Sequence, residues 1–412
     1  MRDGGARRRW PRDDGGVLRL ALALFALQAG FHGFTASLPV ALSRAGVPDP
    51  QIGLIVGVAA LVQVPAALLA GVIVDRLGGL RMLTIGGLSY LVGCGILMLP
   101  GVEPGGPAGP FIVARIFQGI GIAGTLPAAL SLVPHLTEPA RRGFALAFMG
   151  SAHNLTLVAI PPLSLAVLGA TSLRGVALVM TTSVLIGLAL VWIRPFRFRS
   201  GTGAGGHDER PMPEARRRLG FAFRRTWAPI IAIVVLFIVH WGVIVAYLPQ
   251  RAEAAGADIG LFFAADGVAI LLSRVPSGWL ADRMRPALLM LAGLAATAVA
   301  ILLVALPPTT PLLVAAGLLS GAGGGLVMTP MLVELSRRSA DADRGSAFSL
   351  FSAALAAALV IGSIGGAPVV AVFGFEVTML LSLVGVAGAA AITVSDAALR
   401  SDPRKRLRVA AT

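Results

Sequence analysis

Cys94 is the only cysteine and Lys405 the only lysine among 412 residues. A single thiol excludes an internal disulfide, and in the middle of an apolar run it reads as a small core filler. The five histidines are scattered without ligand spacing, so no metal site is expected. No nucleophile stands beside a general base, which argues against an enzyme. Charge itself is scarce: Asp, Glu, Lys and Arg make up 13% of the chain against 56% apolar residues, with a mean hydropathy of +0.84. Such a chain is not an ordinary soluble domain, and its solvent is a lipid bilayer.

What the chain does have is a series of long charge-free or nearly charge-free runs. A spanning helix needs roughly 20 apolar residues. Ten spans are expected at 17–42, 52–74, 82–100, 111–134, 143–173, 175–193, 226–250, 259–280, 345–375 and 377–395. Two more fill 286–333, which Pro307-Pro308-Thr309-Thr310-Pro311 divides. The fold class that follows is all-α and membrane-embedded, with twelve transmembrane helices. The arginine-rich start is followed by a run too long for a signal peptide, without a small-residue cleavage site, and reads as an uncleaved first span.

The net charge of +14 is a matter of topology rather than of a nucleic-acid partner. With the amino terminus taken as inside, 29 of the 34 Lys and Arg residues fall on the inner side. Only Arg44, Arg174 and Arg251 fall in outer loops, while Arg115 and Arg274 lie within spans. By the positive-inside rule both termini are cytoplasmic. The use of 33 arginines to one lysine suggests a GC-rich bacterial genome, hence a bacterial cytoplasmic membrane.

The chain also repeats itself. Gly71, Asp75 and Arg76 recur 207 residues later as Gly278, Asp282 and Arg283, and Ile52-Gly53-Leu54 recurs as Ile259-Gly260-Leu261. Leu38-Pro39 and Ala45-Gly46 recur as Leu248-Pro249 and Ala255-Gly256. A repeat this long means two copies of one large unit, the parallel arrangement known in transporters. The expected organisation is a tail over 1–16, a six-helix bundle over 17–193, a cytoplasmic linker over 194–226, a second bundle over 227–396 and a tail over 397–412. The linker, polar and Gly/Ser-rich at its centre and basic at its ends, reads as a tether.

These motifs carry a resemblance. Two six-helix halves with Gly-x-x-x-Asp-Arg after spans 2 and 8 resemble the major facilitator superfamily of secondary transporters. Ala114–Gly124, with Arg115, Gln118, Gly119 and Gly121, is similar to the superfamily's Arg-x-x-Gln-Gly-x-Gly motif in helix 4. Glu138, Arg141, Arg142 and Gly143 resemble its acidic–arginine–glycine loop. Two features depart from the drug–proton antiporters. Span 5 carries Pro161-Pro162 without a preceding glycine, and span 1 offers Gln28 and His32 in place of an acid.

The resemblance implies that Gly71, Asp75, Arg76, Gly78 and Arg81 form a conformational latch, with Gly278, Asp282 and Arg283 as its second copy. Each aspartate would accept from a neighbouring helix amino terminus. Arg274 and Glu334 are expected near the same network. Arg115 is implied in coupling or substrate binding, and a cation at that depth must face protein or water rather than lipid. Asp266 is the one carboxylate well inside a span, which suits a proton carrier. His32, His240, His153 and Asn154 are further candidates for relay or substrate contact, and Gln28, Gln118 and Trp241 for lining the site. For each the plain alternative is packing.

The expected activity is alternating-access transport of a small molecule, driven by a proton gradient and without a cofactor, by a monomer. Export of a drug-like compound or metabolite is expected from the resemblance to compact bacterial members. The alternatives are proton-coupled uptake of a sugar or other metabolite, and a membrane sensor that binds without moving its ligand.

Overall fold

A computed structural model describes residues 15–138, 141–193, 196, 224–281, 283–339, 343–396 and 399. Every element assigned among them is helical. In the first half, α1 (Gly15–His32) and α2 (Ser37–Arg44) together make the first span. They are followed by α3 (Asp49–Leu77), α4 (Gly79–Ile96), α5 (Ala108–Leu136), α6 (Arg142–Ala170) and α7 (Leu173–Trp192). The second half holds α8 (Ala228–Ala254), α9 (Ile259–Ala281), α10 (Pro286–Ala305), α11 (Thr310–Arg337), α12 (Arg344–Val360) and α13 (Ala367–Ser395). Twelve helical stretches among the described residues are long and apolar enough to cross a membrane.

Large apolar side chains remain turned outward along these helices, among them Leu88, Leu185, Leu272 and Val384. In water such a surface would associate; in lipid it is the solvated face. Helices that are apolar all round take their orientation from the small residues through which they touch.

Two helix breaks interrupt the expected spans. The expected first span, 17–42, is interrupted after His32. Gly33 to Ala36 form turns in which Phe34 N–H donates to Phe31 O and Thr35 N–H to His32 O, and Ser37 then starts α2. Near the other end of the chain, α12 passes through one π-helical turn at Ile361–Gly365 and on into α13 with Gly366 still right-handed helical. The chain reverses only at Gly374, whose φ of 81° and ψ of 170° suit a residue without Cβ.

The halves meet along two equivalent seams, α3 against α12 and α6 against α9. Span 2 meets span 11, and span 5 meets span 8, as two copies related by an axis along the membrane normal require. The contacts sit toward the face opposite the termini, here the far face. Gly53 and Gly57 of α3 press on Tyr247, Ser363 and Ile364. Gly260 and Gly267 of α9 press on Pro162 and Val158 of α6. Arg44 pairs with Glu253 across the same face, and Gln250 donates to Asp49 over 3.3 Å.

Candidate functional site

In the first half, four helices converge on a buried polar cluster. Gln28 and His32 come from α1, Tyr90 from α4, Arg115, Gln118 and Thr125 from α5, and His153 from α6. Helical periodicity places Arg115, Gln118 and Thr125 on one stripe of α5. The glycines of the same motif turn that stripe inward. A Cβ at Gly119 would lie 2.5 Å from the Ala59 carbonyl oxygen of α3, and one at Gly121 would lie 2.5 Å from the Tyr90 ring of α4. Only glycine lets α5 approach both neighbours so closely.

The polar atoms are joined across helices. Arg115 donates to Gln118 Oε1 over 2.9 Å and to the Val56 carbonyl over 3.1 Å, and its guanidinium lies 4.8 Å from the centre of the Phe31 ring. Gln28 bridges α1 to α5 and α6: its amide contacts Thr125 Oγ1 at 3.5 Å and its oxygen pairs with His153 Nδ1. Tyr90 and Thr125 hydroxyls lie 3.4 Å apart. The His32 and His153 rings sit 5.9 Å apart, centre to centre. Not all polar atoms are used. Arg115 Nε, Gln118 Nε2 and both ring nitrogens of His32 are buried with no hydrogen-bond partner. Each such group costs roughly 1–3 kcal/mol unless something fills the role.

The second half is built differently. Asp266 of α9 faces Ser320 of α11 as its hydrogen-bonding partner. Gly317 and Gly321 pack on its backbone, so the carboxyl sits in the α9–α11 contact rather than against Arg115. His240 turns Nδ1 to the Phe237 carbonyl of its own helix and packs on the Phe237 ring, apart from the cluster. Trp241 stacks on Phe262 and meets Phe263 edge-on, each at 6.2 Å. Asn154 is buried on α6 beside His153. Arg274 of α9, in the other half, lies within electrostatic range of His153.

The family model of the Major Facilitator Superfamily matches residues 20–258 and 251–410. The chain belongs to the major facilitator superfamily. Solved structures of the same fold include the peptide transporter POT in complex with alafosfalin, at 14% identity and a TM-score of 0.73 over 94% of this chain and 96% of that one. The human organic anion transporter MFSD10 matches at 15% identity and a TM-score of 0.64, over 93% and 100% of the two chains. The inward-open xylose transporter XylE from E. coli matches at 16% identity and a TM-score of 0.67, over 90% and 94%.

The superfamily's latch residues are only partly visible. Asp282, the Asp75 side chain and the surroundings of Gly71 lie outside what is described. Gly78 joins α3 to α4 with a φ of 82°, and Arg76 and Arg81 are exposed. Arg283 donates to the Trp279 carbonyl over 3.3 Å and lies over the Trp279 ring. At Gly278 the packing is open, since a Cβ there would meet nothing nearer than Thr329 at 4.0 Å.

Glu334 enters a different network, one without a sequence signal. Arg338 donates to Glu334 over 3.0 Å and to both oxygens of Asp396 at 2.9 Å, and it also donates to the Thr226 carbonyl over 3.1 Å. Burial alone would lower the Arg338 pKa, but its bonds to Asp396 and Glu334 outweigh burial and hold it above the ordinary arginine value.

Tyr90 and Thr125 were the residues that sequence reasoning passed over. The signal was present for Thr125, which continues the Arg115–Gln118 stripe. Tyr90 showed only as one of two tyrosines in the chain.

Proposed function

We propose that this superfamily member is a proton-coupled exporter of a small molecule, lying in a bacterial cytoplasmic membrane as a monomer with both termini inside. The 29 basic residues on the terminal side orient it. With that orientation the far face is external, and the halves are closed there by the glycine contacts and the Arg44–Glu253 pair. Loading would then take place from the cytoplasm, the side from which an exporter takes its cargo.

The observation that carries the reading is the cluster around Arg115, His32 and His153, with its buried unpartnered donors. A static bundle would satisfy or omit them; a transporter leaves them for its cargo. Asp266 supports proton coupling. Its neighbour Gly267 packs directly on Val158 of α6, the helix that carries His153. Neutralising a buried carboxylate in the α9–α11 contact, one residue from this seam, changes the cost of moving α9, which is how a proton biases a two-state equilibrium. Export as the direction rests on the resemblance to compact bacterial members.

The test is flux in proteoliposomes under an imposed pH gradient, with compounds screened in both directions. Outward-directed flux that follows the gradient is expected, with gradient-driven flux lost in Asp266→Asn. Flux indifferent to pH in the unmodified protein, or gradient-driven flux unchanged in Asp266→Asn, contradicts proton coupling through this residue.

A further inference from the structure

From the charge and hydrogen-bonding balance of the buried cluster, we infer that its cargo carries an oxyanion, a carboxylate or a phosphate-like group. The inference rests on the transport reading for its biology but not for its chemistry. The three residues with unpartnered atoms are all more than nine-tenths buried: Arg115 at 3% exposure, Gln118 at 0% and His32 at 5%. The open positions on Arg115 and Gln118 are N–H donors without acceptor capacity. A neutral His32 adds one more donor and one acceptor.

The formal charges around the cluster have one sign. Arg115 supplies one cation from α5, and Arg274 a second from α9 within range of His153. Among the described residues, the spanning part of α1, α4 and α6 places no carboxylate at this depth. Asp49 on α3 stands at the far face against Gln250. Asp266 is turned to Ser320, and Glu334 is held by Arg338 at the terminal face. Among the described residues, Arg115 is thus a buried cation whose hydrogen-bond acceptors are an amide oxygen and a carbonyl oxygen, with the Phe31 ring against it. An isolated charge in that setting is costly, and an anion bonded to it relieves the cost. A cationic or purely apolar cargo would leave both the charge and the open donors uncompensated.

The experiment measures thermal melting of the purified full-length protein in detergent with matched probes. Benzoate, succinate, methylphosphonate and inorganic phosphate are compared with benzamide, succinamide and benzylamine. At least one oxyanion is expected to raise the melting midpoint while its amide or amine counterpart does not. Carboxylate and phosphorus oxyanions form separate arms and identify which group is taken.

Affinity for that probe should fall about tenfold or more in Arg115→Gln, the scale of a lost charge-assisted hydrogen bond. Gln118→Leu keeps the cation and removes one donor, so it remains informative should Arg115→Gln not fold. It should weaken the oxyanion several-fold, on the order of one neutral hydrogen bond. No stabilisation by any oxyanion, equal stabilisation by the amide or amine, or unchanged affinity in the folded variants overturns the inference. Oxyanion binding without gradient-driven flux would keep it and remove the transport reading. Flux of neutral or cationic compounds without oxyanion binding would do the reverse.

Discussion

Gly53 in the first half lies so close to Tyr247 in the second that a Cβ there would stand 1.9 Å from the phenol oxygen. The same Cβ would lie 2.7 Å from the carbonyl oxygen of Ser363, which accepts the Tyr247 hydroxyl bond. Gly57, one turn on, meets Ser363 and Ile364 in the same way. The π turn at Ile361–Gly365 is thereby the surface on which α3 closes. π turns recur at functional positions in helices because they offset the backbone locally.

Gly53→Val should therefore wedge the far face open while leaving the packing within each half intact. Spin labels at 44 and 253 are expected to report a longer distance in the variant, and transport should fall strongly. A distance distribution unchanged from the parent would show that this contact does not set closure.

Arg44 and Glu253 pair across the same face, but their side chains are 51% and 30% exposed. An ion pair so accessible to water contributes only about 0–1 kcal/mol and weakens with salt. Arg44→Gln should shift the closed state slightly, with the difference vanishing at high ionic strength. A large, salt-independent loss of transport would mean that the pair is more than an adjunct to the glycine contacts.

Gly119→Val tests the packing that builds the site. Its side chain would collide with the Ala59 backbone, which cannot move aside as a flexible side chain does. Overpacking of this kind costs about 1–3 kcal/mol. A lower melting temperature together with weakened substrate binding is expected, because α5 carries Arg115 and Gln118. Normal binding would show that these residues do not need the close α3–α5 approach.

Asp396→Asn tests the Arg338 network at the terminal face. Removing one partner of a buried pair costs about 3–5 kcal/mol, and Arg338 is only partly screened, so the lower part of that range is expected. The pH dependence has a definite sign. A group whose folded pKa is raised contributes its stability in full below the unfolded value and loses it only as pH rises through the folded value. For Arg338 that window lies above the ordinary arginine range. The penalty of Asp396→Asn should be the same at about pH 6 and about pH 9. A penalty that shrinks across that interval would contradict the assignment.

The spans and the Arg115–Gln118 stripe were legible because length, charge and motif are local in sequence. The meeting of His32 with His153, 121 positions apart, was not. In a span that is apolar all round, no polar face marks the side that looks inward, so the small-residue contacts decide it. The same limit applied to His240. Both were candidates for relay or substrate contact, yet His240 meets a carbonyl of its own helix while His32 ends α1 with both ring nitrogens open. The break at Gly33–Ala36 was hidden by an unbroken apolar run, since hydropathy does not register a turn within lipid depth. The Arg338–Asp396 pair joined residues from two helix ends that no motif connects.

The central claim is that one cluster is exposed alternately as the halves rock about the far-face seam. Distances measured in lipid between spin labels at 44 and 253 and, separately, at 81 and 285 test it most directly. With an oxyanion bound, the far-face pair should lengthen while the terminal-face pair shortens. Two distances that stay fixed, or that lengthen together, would contradict alternating access.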